Sequence, residues 1–312
     1  MIAAAERHSV ATVFEQIDRG GVVILDGAMG TELQLRGAPM DHVAWSAVAL
    51  ETHPELVRQI HEDYISAGAD VIIANSFAAS RHVLEPAGLG DRVAALNRRS
   101  VELAKAARER AGKDRDIAIA GSISSFVAEA DVRNMPTLAA AAANYREQAD
   151  LLAEAGVDLL ILEMMRDVPQ SRLAVEAATA TGLPVWVGFT CKLGPDGTLA
   201  KLRGREREED LSDALGPVMA AGGSLVAVMH SDLDAVDPAL DVVFAGWSGP
   251  VAVYPHSGDW TPPNWQFTDV ISPAAFATLG LDWVSRGVKV VGGCCGIGPE
   301  HIRQLARAVR GS

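Results

Sequence analysis

A chain of 312 residues with 49% hydrophobic content can bury a large core, either as one α/β barrel or as two small domains. Its 40 acidic against 27 basic residues leave a net charge of -13, which repels nucleic acid and anionic membranes and favours small-molecule chemistry. No apolar run is long enough to span a bilayer, Met1 to Arg7 carry no basic flank before an apolar stretch, and Cys191, Cys294 and Cys295 are too few for a secreted disulfide framework. These features predict a soluble, cytoplasmic protein with no nucleic acid or membrane partner, and leave a homo-oligomer open.

Short β-branched runs alternate with longer amphipathic stretches. The first predicted strand, Val22 to Leu25, opens into Asp26-Gly27-Ala28-Met29-Gly30-Thr31-Glu32. A helix over Pro54 to Ala67, with Pro54 in its first turn and Gly68 at its stop, leads to a strand over Asp70 to Ala74 and then Asn75-Ser76-Phe77. Arg92 to Ala111 is the next helix, and Ile117 to Ala120 the next strand, ending at Gly121-Ser122. Thr137 to Ala155 forms a helix stopped by Gly156, and Asp158 to Leu162 a strand that delivers Glu163-Met164-Met165. The alternation continues with a helix over Val168 to Ala180, a strand over Pro184 to Phe189 ending at Thr190-Cys191, and a helix over Asp210 to Ala221. Ser224 to Met229 is a strand that ends at His230-Ser231, and Pro250 to Tyr254 one that leads to His256-Ser257-Gly258-Asp259. The last units are a helix over Pro273 to Arg286, a strand over Val288 to Val291 ending at Gly292-Gly293-Cys294-Cys295-Gly296, and a helix over Pro299 to Val309.

Eight such units without a linker-like segment predict a single (β/α)8 TIM-type barrel, one domain over residues 1–312, with a doubly wound sheet as the alternative. In a barrel the residues just after each strand share one face, and that face carries the active site. The polar strand ends above would therefore converge, although they are far apart in sequence.

Adjacent Cys294 and Cys295, with glycines on both sides, can aim both sulfurs at one point. Taken alone they are equally a buried hydrophobic pair or a strained redox pair. His230 alone is a hydrogen-bonded core histidine as readily as a ligand, but in a barrel it faces the same mouth. Two sulfurs and one imidazole would make a three-ligand zinc site with an open fourth position, with His256 as a rival third ligand. Cys191 is expected to be a free thiol.

Asp26 and Glu163 leave buried strands, where a carboxylate needs a partner; they could pair as acid and base or hold an ammonium group, against plain capping or solvation. The Gly27 to Gly30 stretch lacks a Walker lysine or dinucleotide fingerprint, and its glycines let backbone approach a ligand. Asn75 and Ser122 are further candidate substrate contacts. Trp45, Phe77, His256 and Trp260 could line a donor pocket, because aromatic faces attract onium groups, with Trp265 in the same segment.

At these residues the chain resembles the homocysteine S-methyltransferase family, over nearly its full length. The resemblance is carried by Asp26-Gly27-Ala28-Met29-Gly30-Thr31-Glu32-Leu33, Ala67-Gly68-Ala69-Asp70, Gly121-Ser122, Gly156-Val157-Asp158 with Glu163, Pro184-Val185-Trp186-Val187, Tyr254-Pro255 and Gly292-Gly293-Cys294-Cys295-Gly296. It implies a barrel that holds zinc through the adjacent cysteines plus a third cysteine after strand six, and moves a methyl group from a sulfonium, betaine-like or pterin donor to homocysteine, giving methionine. It further implies that Asp26 and Glu163 hold the ammonium group and that Gly27 and Ala28 contact the amino acid through backbone.

This chain departs from that pattern at named positions. Met229-His230 replaces the family's Asn-Cys, Met164 its Thr after the strand-four glutamate, Asn75-Ser76 its Asn-Thr pair, and His256 its Asn after Tyr-Pro. Trp45 resembles an onium-pocket aromatic of the betaine branch, while the neighbouring aromatic expected near Ala78 is missing. With imidazole in place of a third thiolate, the bare zinc site would carry a formal charge of 0 rather than -1, a stronger Lewis acid holding a weaker sulfur nucleophile. The alternatives are a methyltransferase for a different thiol acceptor and a non-catalytic metal- or amino-acid-binding relative.

Overall fold

The structure, a computed structural model, describes residues 6–112, 115–127, 135–195, 197, 200–203 and 209–311; Met1 to Ala5 of the amino-terminal segment lie outside them. Eight parallel strands form one sheet: β1 (Val23–Ile24), β2 (Val71–Ala74), β3 (Ala118–Ser124), β4 (Leu159–Met165), β5 (Val185–Phe189), β6 (Leu225–Met229), β7 (Val251–Tyr254) and β8 (Val290–Val291). Each strand pairs with its sequence neighbours, and β8 returns to β1 through Ile24 opposite Val291. The remaining seam between β1 and β2 closes through a parallel bridge of Leu25 with Val71, with Asp26 N–H donating to Val71 O at 3.0 Å. The predicted barrel is thus the observed one, and the doubly wound sheet is excluded.

Outside the sheet run helices α1 (Glu6–Asp18), α2 (Pro54–Ala67), α3 (Val93–Ala111), α4 (Leu138–Ala155), α5 (Val168–Thr179), α6 (Leu211–Met219), α7 (Leu233–Gly246), α8 (Pro273–Ser285) and α9 (Pro299–Arg310). Their ends follow the local chemistry. Pro54, Pro273 and Pro299 occupy first turns, where a missing N–H costs nothing. Gly68 and Gly156 end α2 and α4 in the left-handed conformation, at φ 112° and 83°. None of these helices is long and apolar enough to cross a membrane.

The two Gly-x-Asp segments that follow α2 and α4 do equivalent work at the bottom of the barrel. Asp70 Oδ2 accepts from Ile24 N at 2.9 Å, and Asp158 Oδ2 from Ile119 N at 2.7 Å, so each carboxylate ties its strand to the preceding one. Arginines partner both: Arg115 and Arg310 on Asp70, and Arg108 on Asp158. This face is built for stability, leaving the opposite mouth for chemistry.

Three elements differ from the sequence expectation. β3 does not stop at Ala120 but runs to Ser124, and β4 continues past Leu162 to Met165, because Ser122 and Glu163 face each other inside the sheet and satisfy one another. The β4–β5 register shifts between Leu162 and Met165, and Met164 sits at φ 56°; this local bulge re-aims the strand end. Helix α7 is absent from the sequence expectation; Pro238 removes a donor in its interior, yet its apolar face is fully buried at Val236, Leu240 and Val243.

Candidate active site

The strand ends surround a cavity of about 200 Å³ at the C-terminal mouth. Three of the four non-glycine residues with positive φ among the described residues, Trp45, Met164 and His230, lie on its wall. Such backbone is costly and is kept where the surroundings hold a side chain in place.

After β8 the chain turns sharply between its neighbours. Gly293 N donates to Asp26 O at 3.1 Å, Cys294 N to Pro255 O at 2.8 Å, and Ser257 N to Cys295 O at 2.9 Å, so the ends of β1 and β7 clamp the cysteine pair. Gly296 has φ 81°, and a Cβ there would fall 1.9 Å from Ser257 O; only glycine closes this turn. The two sulfurs lie 4.0 Å apart, and Cys294 Sγ lies 3.4 Å from His230 Nδ1.

His230 enters from β6 at φ 43°, its N–H donating to Tyr254 O at 3.2 Å. Its ligand nitrogen and the two sulfurs all lie within 4.8 Å of one another. Tetrahedral zinc with its usual bond lengths would place two sulfurs about 3.8 Å apart and a sulfur and a nitrogen about 3.5 Å apart. The donor set fits the metal in kind and in spacing. Burial, His256 and the nearby arginines hold the His230 imidazole well below its ordinary pKa, in the neutral form a metal requires. The hydrogen bond with Cys295 and burial push the Cys294 thiol well above its ordinary range.

His256 does not join this group. Its Nε2 donates to Asp232 Oδ1 at 2.8 Å, while its ring lies 4.6 Å from that of His230. Cys191 is a buried free thiol in the antiparallel ribbon of Cys191–Leu193 and Ala200–Leu202, pushed up to about 12 by burial.

The two carboxylates are deeply buried, Glu163 on the cavity wall and Asp26 beneath it. Asp26 Oδ2 accepts from Ile73 N at 2.8 Å, while Oδ1 has no partner among the described residues. Burial pushes Asp26 well above the usual carboxylate range, and the nearby Glu163 adds to this. Glu163 accepts from the Ser122 hydroxyl, but burial prevails and raises it to about 7. A buried ammonium group would relieve both. Ser122 acts through Glu163, and Asn75 acts through the loop: its amide donates to Ser46 O at 3.1 Å and accepts from Ser46 Oγ at 3.0 Å, fixing the segment that carries Trp45. Tyr64 supports the Gly27-Ala28 turn, its hydroxyl lying 3.0 Å from Ala28 O.

A run of aromatic rings leads to the His/Cys group. Phe126 and Phe77 lie 5.3 Å apart, Phe77 and Trp45 5.8 Å, Trp45 and Trp260 5.7 Å, Trp260 and Trp265 6.3 Å, and Trp265 and His256 5.5 Å. The predicted donor-pocket residues are therefore neighbours. Gly30 makes room for this wall, since a Cβ there would lie 2.4 Å from the Trp45 ring. Phe126, Arg166, Arg203 and Asp232 are wall residues that escaped the sequence reading. A longer β3 would have pointed to Phe126 and a longer β4 to Arg166; no local signal marks Arg203.

Residues 23–309 match the family model described as homocysteine S-methyltransferase. The chain is 29% identical to homocysteine S-methyltransferase 4 of Zea mays, over 94% of this chain and 91% of that one. It is 28% identical to selenocysteine methyltransferase of Astragalus bisulcatus, covering 92% of each. The metallated form of the homocysteine methyltransferase MmuM from Escherichia coli superposes with a TM-score of 0.77 at 28% identity, over 94% of this chain and 98% of that one.

Proposed function

The chain belongs to the homocysteine S-methyltransferase family, and from that premise we propose that it is a zinc-dependent methyltransferase that moves a methyl group from an onium donor to homocysteine, giving methionine. The observation that carries this is the convergence of His230, Cys294 and Cys295 on one point of the mouth. These three side chains would hold the metal, whose Lewis acidity keeps the acceptor sulfur deprotonated at neutral pH.

The chain's own residues do the rest. Glu163 and the open oxygen of Asp26 take the acceptor's ammonium group, which supplies the charge these buried carboxylates lack. Ser122 fixes the Glu163 carboxylate, and the Gly27-Ala28 turn, backed by Tyr64, gives the amino acid a backbone wall. Trp45, Phe77, Phe126 and Trp260 face the donor's onium centre. The acceptor sulfur forms its bond to the methyl carbon as the carbon–onium bond breaks, and that electron pair leaves with the donor. Positive charge is lost from the donor in this step, so a wall that excludes water favours it, and holding both partners in line supplies much of the rate.

Methionine formation with homocysteine and several donors, with zinc content determined alongside, tests this reading. Turnover that depends on zinc supports it, whereas zinc bound with no turnover on any donor would overturn it. A second acceptor is favoured by Met164, which lines the cavity beside Glu163, and by the likeness to a selenocysteine methyltransferase. Competition between homocysteine and selenocysteine for one donor separates the two acceptors.

A further inference from the structure

Glu163 and Met164 both line the cavity, although adjacent residues of a regular strand point to opposite faces. The bulge in β4 makes this possible: Leu162 pairs with Val187 and Met165 with Phe189, so the two residues stand against Gly188 alone. A bulge leaves an amide without its ladder partner, and here that amide belongs to Met164. Its N–H donates to Met229 Sδ at 3.2 Å. On the β3 side, Met164 O accepts from the Ser125 hydroxyl and Glu163 O from Ser125 N at 3.3 Å, so the thioether is the bulge's support on the β5 side.

The contact does not join neighbouring strands. Met229 ends β6, and β5 lies between β6 and β4. Its side chain crosses β5 over Gly188, where a Cβ would lie 2.7 Å from Met229 Cγ and 2.8 Å from Leu162 O. Glycine therefore opens the passage. Thr190 Oγ1 donates to the same sulfur at 3.2 Å, so a fully buried thioether takes two donors. A sulfur that only filled space would need neither. Met164 and Met229 are also two of the positions at which this chain departs from the family's pattern, and they touch each other.

We propose that Met229 is a positioning residue for acceptor recognition: by taking the Met164 N–H across β5, its thioether holds the β4 bulge that turns the Glu163 carboxylate toward the acceptor's ammonium group. The proposal rests on the reading of Glu163 as the ammonium partner. Leucine matches methionine in volume and offers no acceptor, so Met229→Leu leaves the Met164 amide buried and unpaired, which drives the backbone toward another partner. The bulge then relaxes and the carboxylate moves, while the cysteine pair keeps its own clamp to the ends of β1 and β7. Glutamine, of similar length, restores an acceptor. Its amide group can meet the Tyr254 hydroxyl, which is buried beside Gly188 with no partner among the described residues.

The test is calorimetric binding of homocysteine, and of 4-mercaptobutanoate, the same thiol acid without the amino group, to the zinc-loaded protein. The unaltered chain is expected to prefer homocysteine. Met229→Leu should weaken homocysteine binding by about fivefold, the worth of one hydrogen bond, and leave 4-mercaptobutanoate unchanged, and Met229→Gln should recover most of the loss. Unchanged homocysteine affinity in Met229→Leu, equal weakening of both ligands, or no recovery with glutamine would each overturn the proposal. If Met229→Leu does not fold, hydrogen exchange at the Met164 amide of the unaltered chain decides: slow exchange supports the thioether bond, and exchange at the rate of an unbonded loop amide ends it. Equal binding of both ligands by the unaltered chain would sink the ammonium reading and the proposal with it. A selective loss in a protein that forms no methionine would sink the methyltransferase reading alone.

Discussion

Cys294 Sγ lies 3.4 Å from His230 Nδ1, although 64 residues separate them in sequence. Nothing local brings them together: one closes β8 and the other leaves β6 on strained backbone. The contact exists because a closed parallel barrel gathers its strand ends at one mouth, and it brings the imidazole to the cysteine pair proposed to hold the metal.

His230→Ala should therefore cost more metal affinity than loss of a group that merely orients a ligand, which is worth about tenfold to a hundredfold. Titration with a chromophoric chelator reads this directly. His230→Cys should keep the metal and, in the cobalt-loaded protein, strengthen the thiolate-to-metal absorption. Retention of full zinc affinity by His230→Ala would remove the histidine from the metal site.

The pair formed by Ser122 and Glu163 yields a pH dependence. Burial raises Glu163 from 4.5 to about 7 in the folded chain, against the smaller opposing effect of the Ser122 hydroxyl. A raised pKa means that the folded state holds the proton more tightly. The resulting stability is fully present below about pH 4.5 and is lost as pH rises through 7, a difference on the order of 3 kcal/mol. Glu163→Gln should flatten the melting temperature over this window in the ligand-free protein. Homocysteine, by supplying an ammonium partner, should release a proton on binding near pH 6, visible as a buffer-dependent binding enthalpy in the unaltered chain and diminished in the variant.

Much of this architecture was legible in the sequence because its signals are local. β-branched runs, first-turn prolines and left-handed glycines located all eight strands and most of the helices. The site was legible in part, since Asp26, His230 and the cysteines follow closely on strand ends and Glu163 lies near the end of β4. What escaped depends on non-local facts. Ser122 and Glu163 extend β3 and β4 only because they face each other, and that extension carries Phe126 and Arg166 to the mouth. Arg203 arrives on a ribbon whose pairing no periodicity reveals, and Pro238 hides a helix that its buried face stabilises regardless.

His61 should contribute to the acid limb of stability. It is fully buried in α2, both ring nitrogens lack partners among the described residues, and burial lowers it from 6.5 to about 3. With a lowered pKa the unfolded chain binds the proton first. The stability held above about pH 6.5 is thus lost as pH falls toward 3, by an amount on the order of 5 kcal/mol. Urea unfolding from pH 7 to 4 should show His61→Leu losing less stability than the unaltered chain. Parallel pH profiles would mean that the imidazole is solvated or paired.

Gly30 sets the position of Trp45 in the proposed donor wall. A Cβ at Gly30 would lie 2.4 Å from Cη2 of the Trp45 indole, whose own backbone is strained at φ 44° and whose loop is fixed by Asn75 and Ser46. The ring cannot be accommodated where it is, so Gly30→Ala must displace it, at a cost of about 1–3 kcal/mol in overpacking. Trp45 touches both Phe77 and Trp260, so its displacement opens the middle of the aromatic wall. The metal group stands on β6 and β8 and is untouched by this. Gly30→Ala should therefore raise the donor KM while zinc content and homocysteine affinity stay near their original values. Loss of zinc along with donor binding would mean that the wall and the metal site are one mechanical unit, and an unchanged donor KM would remove Trp45 from the donor pocket.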